Sequence, residues 1–348
     1  MEKSFSPLRI GDKAIKIIYG RNTMKSILKK VAVVALAAVL ALGMIGCSNG
    51  SIDDPVKETV ATPAFSVESG AVNSGTEVTI SCATEDAKIY YTTDGNDPTA
   101  KSTEYTTAIS VTPPMTLKAI AVKDGMNDSA VASASYSIIP TPGVFVLKDG
   151  TMLPKDITLT DTQKSNIAAV IVRAAADGKP ALGVGIVHNK MAWCTESAAG
   201  CSTIITALKG DRRSDYMDGS NSWDLLVAAC EDLKNATAET IETVAQNYPA
   251  WNYCRNYGAN NGLEGDLATG WYLPTVAELY TIYQNKTAVD ASLSKAGGSQ
   301  FGTSWYWSCC QYPSSYNRAR GLVFNYGDMF HNDKTSDGNY VCSVRAFN

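Results

Sequence analysis

Short segments in which apolar and polar residues alternate fill the chain between Pro63 and Ile138. A period of two residues is that of a β-strand with one buried face, and turn residues such as DGNDP and KDG separate the segments. Several short strands at this spacing predict an antiparallel β-sandwich. The side chains expected to point into its core are Val78, Ile80, Cys82, Ile89, Tyr91, Leu117, Ala119 and Ala121.

Four blocks of this region resemble a known family. TPAFSVESGAVNSGTEVTISC, IYYTTDGNDPT, LKAIAVKDGMNDS and ASYSI are similar to the immunoglobulin-like module at the C-terminus of chitobiases and β-hexosaminidases. The resemblance implies an Ig-like spacer over residues 63–139 and not the hydrolase itself, because a (β/α)₈ barrel takes about 250 residues. Asp94 and Asp97 are therefore expected to form turns rather than to act in catalysis.

The N-terminal segment has the pattern of an export signal. MKSILKK, which begins at Met24, is basic, and the uncharged apolar run over residues 31–43 is too short to span a bilayer comfortably. Gly46 before Cys47 resembles the lipobox of bacterial lipoproteins, which implies cleavage at this point and a lipid on Cys47. We therefore expect a leader over residues 1–46 with its true start at Met24, and a polar tether over residues 47–62.

The leader predicts a location in the cell envelope. The lipid on Cys47 would anchor the protein in the membrane, and we expect it on the outer membrane and exposed at the cell surface. An uncleaved membrane anchor is the alternative.

Beyond residue 139 the pattern changes from strands to mixed helices and strands. A stiff Pro-rich linker is predicted over residues 140–159. Residues 160–179 begin with capping residues, end at a glycine and carry apolar residues at helical spacing, which predicts a helix. Residues 181–193 are expected to form a strand, and residues 222–247 one long or two short helices.

The last part of the chain has one clear helix start and then no helical pattern. Thr275 and Glu278 form a T-x-x-E capping box before an apolar helical run. After Gln300 only strands and loops are expected. Together these patterns predict a multidomain protein, in which an α+β domain over residues 160–348 follows the β-sandwich.

Charge and motif content exclude several functional classes. The 348 residues carry a net charge of −4, and no Lys/Arg cluster occurs beyond the leader, which argues against a nucleic-acid partner. His188 and His331 stand far apart and neither HExxH nor CxxC occurs, so neither a metal nor a cofactor is predicted. Cys82 is the single cysteine of the first domain and seven lie in the second. The sequence therefore leaves the disulfide pairing open.

A second resemblance lies in the α+β domain. Its blocks are MAWC, WDLLVAAC, WNYCRNYG, GWYLPTVAELYTIY, YWSCCQY and VCSVRAF. They are similar to the C-type-lectin-like fold shared with formylglycine-generating enzymes, and within that group to the variable proteins of diversity-generating retroelements. This family implies that residues from about 304 to 348 form a variable region, diversified by mutagenesis of adenines and restricted to an alphabet without Glu, Lys, Gln, Met or Trp.

The resemblance implies two kinds of position in this region. Trp305, Trp307, Phe324, Val344 and Phe347 are expected to be buried framework, and Arg345 to fix the last strand. The expected exposed, ligand-binding positions are Tyr306, Cys309, Cys310, Tyr312, Ser315, Tyr316, Arg318, Gly321, Val323, Tyr326, Asp328, Phe330, His331, Asp333, Ser336, Asp337 and Gly338. Tyr, Ser, Gly and Asn are also the residues that adaptable binding surfaces favour.

The favoured function is therefore non-enzymatic binding of an extracellular ligand, a protein or another cell-surface molecule. The tyrosines could instead complete a core, although so many polar neighbours would leave buried groups unpaired. A formylglycine-generating-type oxidase would need Cys309 and Cys310 to converge, whereas adjacent residues of a regular strand point to opposite faces. A carbohydrate-binding adhesin is a further alternative, but the E-P-N, Q-P-D and W-N-D motifs of calcium-dependent lectins are absent from the sequence.

Overall fold

A computed structural model describes residues 57–208, 210 and 218–347. The leader, the lipidation candidate Cys47 and residues 47–56 of the tether lie outside the described residues. The described part is mostly β-sheet, with an Ig-like domain followed by two further five-stranded sheets and several short helices.

The first domain contains nine strands. One five-stranded sheet has the order β2-β9-β8-β5-β6, and β1 pairs with β4 and β3 with β7 in two-stranded sheets. The pairing is antiparallel except between β2 and β9. The strands are β1 (Ala64–Phe65), β2 (Gly70–Val72), β3 (Thr76–Val78), β4 (Ile80–Ser81), β5 (Lys88–Thr92), β6 (Thr103–Glu104), β7 (Ile109–Val111), β8 (Met115–Val122) and β9 (Ala132–Ile138).

The alternating pattern places the core of this domain as expected. Leu117, Ala119 and Ala121 on β8 are fully buried, and the intervening residues are half-buried. Val78 and Ile80 are buried as well, whereas Cys82 is only half-buried. Asp94 forms the expected turn, because its carboxylate accepts hydrogen bonds from the backbone and side chain of Asn96.

The second domain contains two five-stranded sheets, with the orders β11-β10-β12-β13-β19 and β14-β18-β15-β16-β17. Its strands are β10 (Phe145–Leu147), β11 (Met152–Leu153), β12 (Ile167–Arg173), β13 (Ala181–Gly185), β14 (Asn189–Lys190), β15 (Trp305–Gln311), β16 (Arg318–Val323), β17 (Asp328–Asp333), β18 (Tyr340–Val341) and β19 (Val344–Phe347).

Nine α-helices are described between and beside these strands. They are α1 (Asp161–Ser165), α2 (Ala199–Ser202), α3 (Ser222–Ala229), α4 (Glu231–Lys234), α5 (Ile241–Ala245), α6 (Pro249–Arg255), α7 (Tyr257–Asn260), α8 (Val276–Gln284) and α9 (Lys286–Lys295), with 3₁₀ turns at Thr206–Leu208 and Gly265–Ala268.

Two predictions on the region between the domains are wrong. The expected linker, residues 140–159, contains β10 and β11, and β10 pairs with β12 inside the first sheet of the second domain. The expected helix over residues 160–179 is helical only in α1, and the apolar run that follows is strand β12. Ile167–Val172 is apolar on both faces because both faces are buried, and such a run favours a central strand over an amphipathic helix.

The helical predictions nearer the C-terminus agree better with the structure. Residues 222–247 form three short helices, α3, α4 and α5, in place of one or two. The capping box is confirmed at α8, where Thr275 Oγ1 accepts from the Glu278 N–H (3.1 Å) and Glu278 Oε2 from the Thr275 N–H (2.9 Å). Glu278 is buried and also accepts from the Tyr272 hydroxyl (2.7 Å). Burial raises its pKa to about 7.

Candidate ligand-binding surface

Strand β15 forms the buried centre of the C-terminal region. It lies between β18 and β16, and every residue from Tyr306 to Gln311 is buried. Tyr306 donates from its hydroxyl to His188 Nδ1 (2.9 Å), while His188 Nε2 lies 3.1 Å from the Gly185 carbonyl. Burial lowers the pKa of His188 to about 4. The prediction that Tyr306, Cys309 and Cys310 are exposed is therefore wrong: central-strand side chains have packed elements on both faces.

The two adjacent cysteines do not follow the geometry of a regular strand. The register with β16 shifts between Trp307 and Gln311, so the pleat is interrupted where Cys309 and Cys310 lie. Burial raises the pKa of Cys309, and the hydrogen bond from that thiol lowers the pKa of Cys310. The pair is enclosed, with Cys309 0% and Cys310 1% exposed.

The predicted exposure of Gly321 and that of Trp305 are both reversed in the structure. Gly321, expected at the surface, is buried, and a Cβ atom there would clash with the Tyr306 carbonyl oxygen and the Phe330 ring. Trp305, expected in the core, is 48% exposed. The other predicted framework residues, Trp307, Phe324, Val344 and Phe347, are buried, and Arg345 donates to the carbonyls of Thr269, Ala346 and Asp266. Trp305 is the first residue of β15, and its ring is only partly covered, by the Phe330 ring of β17.

One exposed zone lies where β16 begins and β17 ends. Arg318 Nη1 is 3.1 Å from His331 Nδ1, and the His331 ring packs at a tilt against Tyr312 with 4.1 Å between centroids. The Arg320 guanidinium lies over the same Tyr312 ring at 4.9 Å. We call Tyr312, Arg318, Arg320 and His331 the Arg–His cluster. Its planar, cationic and aromatic groups can stack on a ligand and donate hydrogen bonds to it.

A second exposed zone lies on the opposite side of the same hairpin. Trp305 pairs across the sheet with Val323, and Val323 with Asp328, so these three side chains point the same way. Phe330 lies beside them, with its ring centroid 5.0 Å from that of Trp305 and 5.6 Å from that of Trp307. We call Trp305, Val323, Asp328 and Phe330 the Trp305 patch. It offers an aromatic contact area with one carboxylate at its rim.

Two exposed tyrosines lie in the connections before and after strand β16. Tyr326 lies in the turn between β16 and β17 and is 69% exposed. Gly327 completes that turn with φ +73°, a conformation that favours glycine, and a Cβ atom there would clash with the Tyr283 ring. Tyr316, 55% exposed, lies in the loop between β15 and β16. Both tyrosines agree with their predicted exposure.

The remaining predicted positions build loops or lie at their tips. Asp333 is half-buried and accepts hydrogen bonds from Asn317 Nδ2 and from the backbone and hydroxyl of Thr335. Ser315 donates to Asn317 Oδ1, and Ser336 accepts from Asn332 Nδ2. Asp337 and Gly338 are exposed in the turn before β18. The predicted set thus divides into a buried group, two exposed zones and these loop-forming residues.

Two supporting residues were missed by the sequence analysis as parts of the site. Lys334 is fully buried, donates from Nζ to the Gly200 carbonyl (2.5 Å) and lies 4.7 Å from the Trp193 ring centre. Burial lowers its pKa to about 8. Gln311 accepts from the Ile205 N–H (2.7 Å) and donates to the carbonyls of Thr203 and Ser315. The sequence does carry a signal for this supporting role, because Lys and Gln both lie outside the restricted alphabet of the variable positions.

The comparisons with known proteins bear mainly on the first domain. Residues 67–133 match the family model of the chitobiase/β-hexosaminidase C-terminal domain, which confirms the Ig-like domain predicted from the IYYTTDG and LKAIA blocks. A search of curated proteins finds no match. Among solved structures, a fimbrial protein from Bacteroides ovatus is similar at 12% identity over 84% of this chain and 71% of that one. Its TM-score is 0.42, and a likeness at this level carries no argument about function.

Two further structural findings apply to the described residues. Within residues 57–208, 210 and 218–347, no helix is both long and apolar enough to cross a bilayer. Over the same part of the chain, no three His, Cys, Asp or Glu side chains are grouped as metal ligands.

Proposed function

We propose that this protein is a lipid-anchored binding protein of the bacterial cell surface, without enzymatic activity. Its second domain, with a C-type-lectin-like fold, presents a diversified face to an extracellular protein or another cell-surface molecule. The anchor is the lipid on Cys47, and the Ig-like domain is the spacer between membrane and binding domain.

The observation that carries the proposal is the contrast within the β15–β17 sheet. The centre of the sheet is buried and fixed by hydrogen bonds, whereas the β16–β17 hairpin exposes aromatic and polar side chains in the Arg–His cluster and the Trp305 patch. Preorganised aromatic side chains lose little conformational entropy on binding and supply much of the contact energy. Such a surface suits a protein ligand.

The strand pairing supports the fold assignment within this proposal. The last strand, β19, returns to pair with β13 near the start of the domain, with Ala181 opposite Phe347 and Val184 opposite Val344. This pairing joins the start and the end of the domain in one sheet. Strands β14, β18, β15, β16 and β17 form the other sheet.

Diversification is best assigned to the Arg–His cluster and the two exposed tyrosines of the connecting loops. Tyr312, Tyr316, Arg318, Tyr326 and His331 belong to the restricted alphabet and stand where another side chain would meet solvent. Gly321 and Tyr306 are excluded from the proposed variable set, because replacement at either position would disturb the packing of Phe330 or His188.

Genomic DNA provides the first test. We expect a reverse-transcriptase gene close to the gene for this chain, and a repeat that differs from its 3′ end only at adenines. The differing codons should include those of Tyr312, Tyr316, Arg318, Tyr326 and His331, with the Tyr306 and Gly321 codons identical in both copies. A locus with neither feature would contradict the proposed diversification.

A display library provides the second test and addresses binding itself. Tyr312, Tyr316, Arg318, Tyr326 and His331 are randomised together on the full chain, and a matched library randomises Tyr306, Cys309, Cys310, Gly321 and Leu322. The first library should keep most clones folded and yield binders to a purified protein such as lysozyme. The matched library should lose folded display. Equal losses in both libraries would refute the assignment of the surface.

A further inference from the structure

Strand β17 is the last strand of its sheet, and among the described strands only β16 pairs with it. The pairing runs from Asp328 to Asp333 without a shift in register. The strand at the other end of the sheet, β14, has only two residues. An edge strand as long and regular as β17 presents backbone N–H and C=O groups with which another extended chain can pair.

The hydrogen bonds at the end of the hairpin determine which backbone groups of β17 point outward. The Lys334 N–H donates to the Asn317 carbonyl (2.9 Å), so these two residues form a hydrogen-bonded pair. Bonded and non-bonded pairs alternate along an antiparallel ladder. Counting back along the register, Met329 and His331 belong to non-bonded pairs. Their N–H and C=O groups therefore point away from β16, toward the open side of the sheet.

The contacts of β16 with β15 give the same alternation. The Arg318 carbonyl accepts from the Tyr312 N–H (3.1 Å), and the Arg320 carbonyl accepts from the Ser308 hydroxyl (2.8 Å). The backbone groups of these two β16 residues thus face β15 and not β17. Among the described residues, no further hydrogen bond reaches the outward groups of β17. We call the backbone N–H and C=O groups of Met329 and His331 the β17 edge.

A cationic side chain lies beside the β17 edge on one face of the sheet. Arg318 pairs across the sheet with Asp333, and its Nη1 lies 3.1 Å from His331 Nδ1 on the edge strand. The Asp333 carboxylate accepts instead from Asn317 Nδ2 and the Thr335 hydroxyl, and within the described part of the chain Arg318 forms no ion pair. An acidic side chain opposite His331 on an added strand would supply the missing negative charge.

The opposite face of β17 is aromatic. The Phe330 ring centroid lies 5.0 Å from that of Trp305 and 5.6 Å from that of Trp307. An apolar side chain opposite Phe330 on an added strand would extend this contact. Since side chains alternate between faces, the strand that fits best has acidic residues on one face and apolar residues on the other.

We propose that the β17 edge binds an extended segment of the protein ligand as an added antiparallel strand, with an acidic residue opposite His331 and an apolar residue opposite Phe330. Backbone hydrogen bonds with Met329 and His331 hold the segment, and the side chains select it. This mode of binding rests on the proposed function and adds the chemistry of the ligand. A second copy of this chain fits less well, because pairing centred on His331 would bring the Arg318–His331 pairs of both chains together.

Amide exchange, measured by NMR on the full chain without ligand, tests whether the edge is open. The N–H groups of Met329 and His331 should exchange at least about tenfold faster than those of Phe330 and Asn332, which donate to β16. Equal protection of the two sets would show that the edge is already covered and would overturn the proposal.

A synthetic peptide tests the strand addition itself. The probe is acetylated and amidated Glu-Val-Glu-Val-Glu-Val-Glu, titrated against the full chain. In the proposed pairing the glutamates lie opposite Met329 and His331 and bond to them, while the valine N–H groups point to solvent. N-methylation of the glutamates should weaken binding at least about tenfold, and N-methylation of the valines less than about twofold. Equal effects of the two methylations, or no binding of the unmodified peptide, would overturn the proposal.

Variants of the chain complete the test. His331→Pro removes an outward N–H at an edge position that tolerates proline and should abolish peptide binding, whereas the matched His331→Ala keeps the backbone and should weaken binding only a few-fold. Arg318→Glu should shift the preference to the corresponding Lys-Val peptide. Equal losses for the proline and alanine variants would refute strand addition.

Two further outcomes separate this mode of binding from its alternatives. If the display library yields binders while the peptide and proline tests fail, the ligand is bound through side chains alone, and the proposed function stands without strand addition. Sedimentation velocity of the full chain addresses the second copy. A concentration-dependent dimer that His331→Pro abolishes would assign the β17 edge to self-association and overturn the proposal, whereas a monomer at all concentrations agrees with it.

Discussion

Strand β15 and the β16–β17 hairpin have similar aromatic and polar residues but different environments. Both contain Trp or Phe next to small polar residues, yet β15 is buried from Tyr306 onward and the hairpin is largely half-buried or exposed. The difference is one of position, because β15 lies at the centre of its sheet and β17 at the edge. Composition indicates which residues can form a binding surface, and strand order decides which of them do.

The largest effect should come from removing a large side chain from the central strand. Tyr306 contacts the rings of Phe301, Phe324 and Tyr340 and donates to His188. Tyr306→Ala should lower the free energy of unfolding by about 3–5 kcal/mol, measured by denaturant titration. Tyr306→Phe keeps the ring and should cost about 1–2 kcal/mol through the unsatisfied His188. A loss below 1 kcal/mol for the alanine variant is typical of surface positions and would contradict the assignment of Tyr306 to the buried centre of the sheet.

A slightly smaller effect should come from adding a side chain at Gly321. Gly321→Val forces the new atoms against the Tyr306 carbonyl and the Phe330 ring, and should cost about 3 kcal/mol. Gly338→Ala is the matched control, since its Cβ would meet only Ser336 Oγ, at 3.9 Å. Thermal unfolding of both variants checks the prediction. If Gly321→Val were as stable as the control, Gly321 could return to the candidate variable positions.

Two buried ionisable residues, Glu278 and His188, should control how the stability of the folded chain depends on pH. Glu278 has a pKa of about 7 in the folded chain against an ordinary 4.5, so its contribution is present below pH 4.5 and is lost as pH rises through 7. His188 has a pKa of about 4 against 6.5, so its contribution is present above pH 6.5 and is lost as pH falls through 4. Between pH 4.5 and 6.5 the two slopes oppose each other.

Two variants separate these slopes. Relative to wild type, Glu278→Gln should gain stability as pH rises from 4.5 to 7, and His188→Gln should lose it as pH rises from 4 to 6.5, each by up to about 3 kcal/mol. Urea titrations at several pH values, taken as differences from wild type, remove the contribution of the other carboxylates. A pH-independent difference for either variant would show that its side chain is not the titrating group.

Local patterns predicted the parts of the fold that local forces determine. Alternation placed Leu117, Ala119 and Ala121 in the sandwich core, and the Thr275–Glu278 capping box marked the start of α8. The pattern at Ile167–Val172 was misread as helical, because a strand buried on both faces has no alternation to distinguish it. The exposure of Trp305 and the burial of Gly321 depend on which strands become neighbours, and that information lies in contacts between distant residues.

The same limit applies to the candidate site. The exposed members Tyr316, Tyr326 and Arg318 were predicted, since hairpin tips and loops are exposed in most folds. Cys309 and Cys310 were not placed correctly, because the register shift after Trp307 cannot be read from the sequence of one strand. Lys334 was not singled out, because its role depends on carbonyl groups more than 130 residues away.

The smallest change in stability should follow from truncating the exposed tyrosines. The double variant Tyr316→Ala, Tyr326→Ala removes rings that are 55% and 69% exposed and should change the free energy of unfolding by less than about 0.5 kcal/mol per site. The same substitutions should weaken binding of a ligand selected on this surface by roughly tenfold or more, because exposed tyrosines contribute mainly when a partner buries them. Denaturant titration and binding measurements on one protein preparation test both halves. A variant that loses stability without losing affinity would assign these tyrosines to the folding of the hairpin and remove them from the binding surface.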